Sequence, residues 1–293
     1  MPHREPDTST SGAEPRQSRA YDLRARLISA AIMVPVALLC LGLGQAPFAL
    51  LVAVGAVLIL REWIRMVNGT QSVAAVVAGG IAILVAMATV FFGLTGIAFG
   101  ILAAGALCVA ALAPVRRIWA AAGVFYAGLP AVALVHLRGL EYGLAAVVFL
   151  FVVVWSTDVA AYGGGRAIGG PKLWPSVSPK KTWAGFVSGL LGAGLAGLLV
   201  AWLVGPDARY GAGWGVIFFF AIMISFFGQM GDLFESFMKR HYGVKDSGTL
   251  IPGHGGAMDR LDSIITAASF AALVAIAFGL PRVFEPYYWS VAQ

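Results

Sequence analysis

Nine apolar runs leave this 293-residue chain few folds to choose from. They lie at approximately 27–44, 46–60, 73–92, 97–113, 119–137, 144–162, 183–204, 214–230 and 264–280. A helix needs about 20 apolar residues to cross the hydrocarbon core of a bilayer. Lipid offers the backbone no hydrogen-bond partners, so each crossing must bond within itself. The expected fold is all-α, a polytopic integral membrane protein with about nine transmembrane helices. Composition agrees: 59% of residues are hydrophobic and 12% charged, where a soluble domain carries about twice that charge. The second run is short and is expected to tilt or to form a tight hairpin with the first. Pro35 and Pro130 are expected to kink their helices. Gly185, Gly189, Gly192 and Gly194 suit close helix packing in lipid. Cys40 and Cys108 lie inside apolar runs and read as packing residues, with no disulfide framework or CxxC site.

Residues 1–26 are polar and are expected to be disordered. The run after Arg26 lacks a clear A-x-A site and leads straight into a second run, so it is read as an uncleaved first span. Residues 27–140 then form an N-terminal region of about five spans. Residues 141–293 form a C-terminal region with two polar loops, 163–182 and 231–263. With the N-terminus inside, seventeen of the twenty Lys and Arg residues fall in inner segments, and only Arg138, Arg209 and Arg282 fall outside. That split satisfies the positive-inside rule. The net charge of +6 is therefore a topological signal and a match to anionic lipid headgroups, with nothing pointing to nucleic acid.

The polar residues collect in two places. Gly231–Ser263 holds Asp232, Glu235, Asp246, Asp259 and Asp262, five of the fourteen acidic residues. Asp232, Glu235, Ser236 and Lys239 fall at i, i+3, i+4 and i+7, one face of a helix continuing the eighth span. Asp259, Asp262 and Ser263 repeat the pattern where the ninth begins. The glycines between Tyr242 and Met258 rule out a helix there and let backbone amides approach an anion closely. Two carboxylate-bearing helix ends joined by a basic, glycine-rich loop suit a divalent cation and a polyphosphate. A solvated loop between two spans is the plainer alternative.

The second cluster begins at Asp158, inside an apolar run and four residues before Tyr162. A carboxylate at that depth costs about 2.5–3.5 kcal/mol on insertion scales, so it should have a partner or face water. A pairing for packing alone would also satisfy it. Arg166, Lys172, Ser178, Lys180, Lys181 and Thr182 come next, before the seventh span. Basic and hydroxyl side chains before a helix start suit phosphate, although a basic loop beside a membrane also serves as lipid-facing decoration. HExxH, P-loop and GxSxG motifs are missing from the sequence.

The order of residues in both clusters closely resembles the phosphatidate cytidylyltransferases, also called CDP-diacylglycerol synthases. One stretch runs from Ser236 through Lys239-Arg240, Lys245-Asp246, Pro252-Gly253-His254-Gly255-Gly256 and Asp259-Arg260 to Asp262. The other comprises Asp158, Ala161, Tyr162, Gly165, Arg166, Lys172, Leu173, Pro175, Ser178 to Trp183, and Gly185. The likeness covers about 150 to 265, while residues 1–140 match only as generic spans. It implies a membrane enzyme that joins CTP and phosphatidic acid into CDP-diacylglycerol with release of pyrophosphate. On that resemblance Asp232, Lys239, Asp246 and Asp259 are expected to be catalytic, with Asp232 and Asp259 holding Mg2+ and a second cation possible. Asp158, Arg166, Ser178, Lys180, Lys181, Thr182, Ser236, Arg240, Lys245, His254, Arg260 and Asp262 are expected to bind substrate. His254 could also serve as a general acid and is assigned to binding. The expected setting is the cell (inner) membrane with the site on the cytoplasmic side, and a homodimer is among the expected assemblies. A CTP-dependent kinase of a long-chain alcohol is the nearer rival, distinguished by its CDP product. A transporter is the more distant one, disfavoured because no internal repeat is found and the charges collect at one face.

The charge count carries a prediction: the N-terminus lies in the cytoplasm and Gln293 outside. Reporter fusions at the two ends check it, and a cytoplasmic Gln293 would break the nine-span count.

Overall fold

The computed structural model describes residues 31–204, 213–248 and 255–278. The expectations for residues 1–26, for His254 and for the segment after Pro281 lie outside the described residues. Among the described residues there are nine helices and one small hairpin. They are α1 (Ala31–Leu43), α2 (Gln45–Asn68), α3 (Val73–Phe91), α4 (Thr95–Leu112), α5 (Arg117–Gly139) and α6 (Gly143–Ile168), then β1 (Lys172–Trp174) and β2 (Ser178–Thr182), then α7 (Trp183–Val204), α8 (Trp214–His241) and α9 (Met258–Phe278). Eight of the nine helices are long and apolar enough to cross a membrane. The chain is thus an integral membrane protein of all-α class.

The helices outrun the apolar runs that announce them. The short second run becomes α2, a helix of 24 residues that continues through Arg61, Glu62 and Arg65. Ile59, Glu62 and Met66 are all buried along it, at i, i+3 and i+7, so the polar end of α2 still packs inward. The junction with α1 is Gly44, whose φ of 127° only glycine adopts freely. Likewise α6 runs past Asp158 to Ile168, through the three glycines expected to open a loop. It stops at Gly169 and Gly170, with φ of 69° and 90°. The chain beyond these glycines is a hairpin: β1 and β2 pair antiparallel, Lys172 opposite Thr182 and Trp174 opposite Ser178. Trp174 stacks on Phe237 of α8 with ring centroids 6.1 Å apart, which fastens the hairpin to the bundle.

Two cores hold the helices. One joins α2, α3, α4 and α5 and takes in Met238, Met258 and Ile265 from α8 and α9. The other joins α5, α6, α7, α8 and α9 around Phe149, Leu150, Phe220 and Ile224. Small residues let α6 and α7 meet almost backbone to backbone. A Cβ at Gly192 would lie 2.4 Å from the Cβ of Ala160, and one at Gly185 would lie 2.7 Å from the carbonyl oxygen of Ala161. A polar ladder crosses the same region. Thr157 Oγ1 donates to Ser225 Oγ at 2.9 Å, and Gln229 Nε2 donates to the Phe186 carbonyl at 3.3 Å, tying α6, α8 and α7 together. Such bonds contribute about 0.6–2 kcal/mol each in membranes.

The packing makes Gly192 a sensitive position. Gly192→Leu is expected to cost about 1–3 kcal/mol through overpacking, read as a lower thermal midpoint in detergent. An unchanged midpoint would mean that α6 and α7 have room to part.

Candidate active site

The C-terminal ends of α6 and α8, the N-terminal end of α9 and strand β2 bring the sequence's charged residues to one end of the bundle. Lys239, near the end of α8, is the centre. Its ammonium sits 2.8 Å from Glu235 Oε2, one turn back, and 2.7 Å from Asp259 Oδ1 at the start of α9. All three side chains are nearly buried, at 13%, 1% and 9% exposure. The i, i+4 spacing places Glu235 and Lys239 on one face, and the packing of α8 on α9 supplies the third member.

Asp259 is further held from behind. Its Oδ2 accepts from the Ser247 amide at 2.9 Å, the Ser247 hydroxyl at 2.8 Å and the Gly256 amide at 2.8 Å. An acid in the first turn of a helix that bonds back to the cap region satisfies amides the helix leaves open. The other carboxylates lie close enough to act on one another. Asp262 sits in the field of Asp232 and Asp158, and Glu235 in that of Asp262 and Asp259. Lys181 pairs with Asp232. Side chains alternate across a strand, so Lys181 turns to the acidic cluster while its neighbour Lys180 is exposed.

Five carboxylates therefore face two lysines, Lys181 and Lys239. One carboxylate oxygen, Oε1 of Glu235, is buried without a hydrogen-bond partner among the described residues. That excess of negative charge and the orphan oxygen fit a cation. No three ligands converge on one point among the described residues. Magnesium, however, takes one or two carboxylates and completes its shell with water and substrate phosphates.

The remaining expected residues divide. Asp158 is exposed on α6, in the field of Lys181 and Asp232. Arg166 donates to the Tyr162 hydroxyl at 3.1 Å, one turn back on α6. Thr182 is buried, and its hydroxyl oxygen accepts from the Gly185 amide at 3.1 Å, the bond of an N-cap residue for α7. Ser178 and Ser236 are half-buried, and Lys172, Arg240, Lys245, Asp246 and Arg260 are exposed at the same end of the bundle. Beyond the spans, Arg116 lies 4.8 Å over the ring of Tyr242 and donates to the Val67 carbonyl, joining the ends of α2, α5 and α8. Burial raises the Tyr242 hydroxyl above its usual range, against the opposing pull of Arg116.

The sequence pattern described as the cytidylyltransferase family matches residues 24–278. The chain belongs to that family. It is 50% identical over 175 residues to a phosphatidate cytidylyltransferase of Brucella abortus biovar 1 (strain 9-941), a stretch covering 59% of this chain and 63% of that protein. A phosphatidate cytidylyltransferase of Bacillus subtilis (strain 168) is 42% identical over 137 residues, covering 46% of this chain and 49% of its own. One from Staphylococcus saprophyticus is 46% identical over 123 residues, covering 42% and 46%. The matched stretch is thus less than two thirds of the length of each of these relatives.

Sequence reasoning passed over one charged residue that the structure brings to this end. Glu62 of α2 is buried at 6% exposure and reaches the segment between α8 and α9. Its Oε1 accepts from the Ala257 amide at 2.9 Å, and its Oε2 from the Met258 amide at 2.8 Å and the Ser247 hydroxyl at 3.0 Å. The amides at the start of α9 do approach an anion, but the anions are the protein's own carboxylates.

Lys239 is the residue whose loss should be felt most. Removing one member of a buried ionic group costs about 3–5 kcal/mol because it strands the others. Lys239→Met is expected to lose that much stability in a detergent denaturation series, whereas Lys180→Met stays within about 0.5 kcal/mol, as exposed sites do. Equal stability for the two variants would contradict the central place given to Lys239.

Proposed function

We propose that this chain transfers a cytidylyl group from CTP to phosphatidic acid, giving CDP-diacylglycerol and pyrophosphate, on the cytoplasmic side of the cell membrane. The observation that carries the proposal is the meeting of carboxylates and lysines from α6, β2, α8 and α9 at one end of a membrane-spanning bundle. An adjoining apolar cleft supports a lipid substrate. It has a volume of about 550 Å³ between α5 and the α8–α9 pair, walled by Trp63, Tyr126, Phe234, Ile265 and Phe270. Phe234 is the chain neighbour of Glu235, and Ile265 lies three residues beyond Asp262, so an acyl chain in the cleft would leave its headgroup beside the charges. The naming of the bacterial relatives points the same way.

The chemistry asks little covalent work of the protein. A phosphate oxygen of the lipid attacks the α-phosphorus of CTP. The bond from that phosphorus to the bridging oxygen breaks, and pyrophosphate leaves with the electron pair. The nucleophile is already an anion, so no base is needed; the barrier is the repulsion and alignment of two anions. Lys181 and Lys239 stand among the carboxylates, and Arg166, Lys172, Lys180, Arg240, Lys245 and Arg260 are exposed on the neighbouring helix ends, hairpin and loop. Their role is to neutralise and orient phosphates. Asp232 and Asp259 are the proposed magnesium residues, with Asp262 and Asp246 in support, and the metal's part is to draw charge from the triphosphate. In the free enzyme the lysines pair with these same acids. Substrate phosphates and metal therefore arrive as an exchange of partners, Lys181 passing from Asp232 to phosphate.

The activity is tested with purified protein in detergent, radiolabelled CTP, phosphatidic acid and magnesium. A lipid-extractable cytidine product is expected, and release of CDP in place of pyrophosphate would overturn the reading. Within it, Asp232→Asn and Asp259→Asn are expected to abolish turnover, Asp232→Asn in protein that still inserts and purifies normally and Asp259→Asn in protein that inserts but is less stable, like other losses from the Lys239 group. Lys181→Gln should lower kcat and kcat/KM together by about 10²-fold or more, as loss of a transition-state contact does. Lys180→Gln should have a much smaller effect. Equal losses from Lys180 and Lys181 in neutral micelles would refute the division of roles on β2.

A further inference from the structure

We propose that Glu62 is a positioning residue for the reaction centre, acting from α2 to set the Asp259 carboxylate through Ser247 and the first residues of α9. The proposal rests on the reading of Asp259 as part of that centre.

Three observations carry it. First, Glu62 is a buried acid whose two carboxylate oxygens meet three protein donors, two of them amides and the third a hydroxyl whose single proton is shared with Asp259. Those donors come from both flanks of the α8–α9 connection: Ser247 on one side, Ala257 and Met258 on the other. Second, the fit is close. A Cβ on Gly248 would lie 2.7 Å from Glu62 Oε1, and one on Gly256 would lie 2.4 Å from Oε2, so the two flanks wrap the carboxylate with glycine on each side. Third, Ser247 Oγ lies within hydrogen-bond distance of Glu62 Oε2 and of Asp259 Oδ2, at 3.0 and 2.8 Å. One hydroxyl with one proton thus links the buried acid to the candidate metal residue.

The anchor is rigid where most of its target is not helical. Trp63, the next residue, is 1% exposed, donates from Nε1 to the Trp119 carbonyl at 2.7 Å and packs its ring on Tyr126 at 4.6 Å. One turn on, Arg116 caps the Val67 carbonyl. The end of α2 is therefore fixed to α5, and Glu62 extends from that fixed helix to Ser247 and Ala257, which lie outside the helices, and to the first residue of α9. Asp259 receives three hydrogen bonds on Oδ2, two of them from Ser247 and one from Gly256, which is next to Ala257. A shift of this frame would rotate Oδ1 away from Lys239 and from the centre that Lys239 organises.

Glu62→Gln tests the role, since it keeps the shape and one acceptor but turns an amide NH2 toward donors. Two measurements on the full protein in detergent separate positioning from folding and from the reaction itself. Hydrogen exchange, read without substrate, should show faster exchange at Ser247, Ala257 and Met258 by about tenfold, with α3, α4 and the outer half of α5 unchanged. Turnover should fall by about 10²-fold, the cost of a small misplacement at a reacting centre, with kcat and kcat/KM falling together. Local exchange and turnover that both match the wild type would overturn the proposal. So would faster exchange throughout the bundle, which marks a purely structural role. Should Glu62→Gln fail to fold, Ser247→Ala decides, because it removes only the shared hydroxyl. A loss of turnover at an unchanged thermal midpoint supports the link, and wild-type turnover sinks it. A wild-type protein that makes no lipid-linked cytidine would instead defeat the reaction reading, and the exchange result would still report the anchor.

Discussion

A charge taken out of water inside a membrane must be answered by another charge or by hydrogen-bond donors, and Lys239 is where this protein meets that demand. Glu235 and Asp259 come from different helices and would repel each other across the α8–α9 contact. The ammonium between them turns a repulsion into a joint. The joint also fixes how α9 meets α8, because Asp259 lies in the first turn of α9. From there the acids continue along both helices to Asp232 and Asp262, and the balance of charge stays negative. On the proposed reading, a site left with unspent negative charge suits cations, whether metal ions or the lysines that substrate phosphates would borrow.

Helix starts usually offer free amides to phosphate, but here the start of α9 is already taken. Gly256 donates to Asp259, and Ala257 and Met258 donate to Glu62. The start of α7 is taken in part as well, because Thr182 accepts from Gly185. At these two helix starts the backbone is spent on holding the site still. On the proposed reading, phosphate recognition falls to side chains that can change partners: Lys181 on a hairpin pinned by Trp174, and Lys239 on a helix. Lysines suit that exchange, being flexible point charges with three donors each.

Much of this was legible in the sequence, for physical reasons. The spacing of Asp232, Glu235 and Lys239, and of Asp259 and Asp262, is helical and survives in any packing of those helices. Span number follows from apolar length, and closeness of α6 to α7 follows from Gly185 and Gly192. Three things were not legible. A basic stretch with Gly and Pro reads as a loop, yet residues 172–182 pair as strands because Trp174 and Val177 have α8 and the bundle to pack against. Lys180 and Lys181 look alike until a strand turns them to opposite faces. Glu62 follows Arg61 at the end of an apolar run and reads as interfacial. Its signal was present all the same: Ile59, Glu62 and Met66 share one stripe, which puts an acid on the buried face.

Glu62 also changes how the two halves of the chain relate. Residues 1–140 read as generic spans, but the family match begins at residue 24 and takes in the first five helices. The clustered motifs all lie after residue 150, so the C-terminal half looks self-sufficient. Its polar end is nevertheless braced from α2 and α5. Glu62 satisfies the amides that begin α9, Arg116 covers Tyr242 at the end of α8, and the core of α2–α5 takes in Met238, Met258 and Ile265. None of these contacts touches the carboxylates facing Lys181. They hold the helix ends from which those carboxylates project, at the point where α8 and α9 leave regular structure. A centre of like charges stays assembled only if its supports are stiffer than its repulsion. The N-terminal helices supply that stiffness through a buried acid, an arginine and a tryptophan, none of which lies among the clustered motifs.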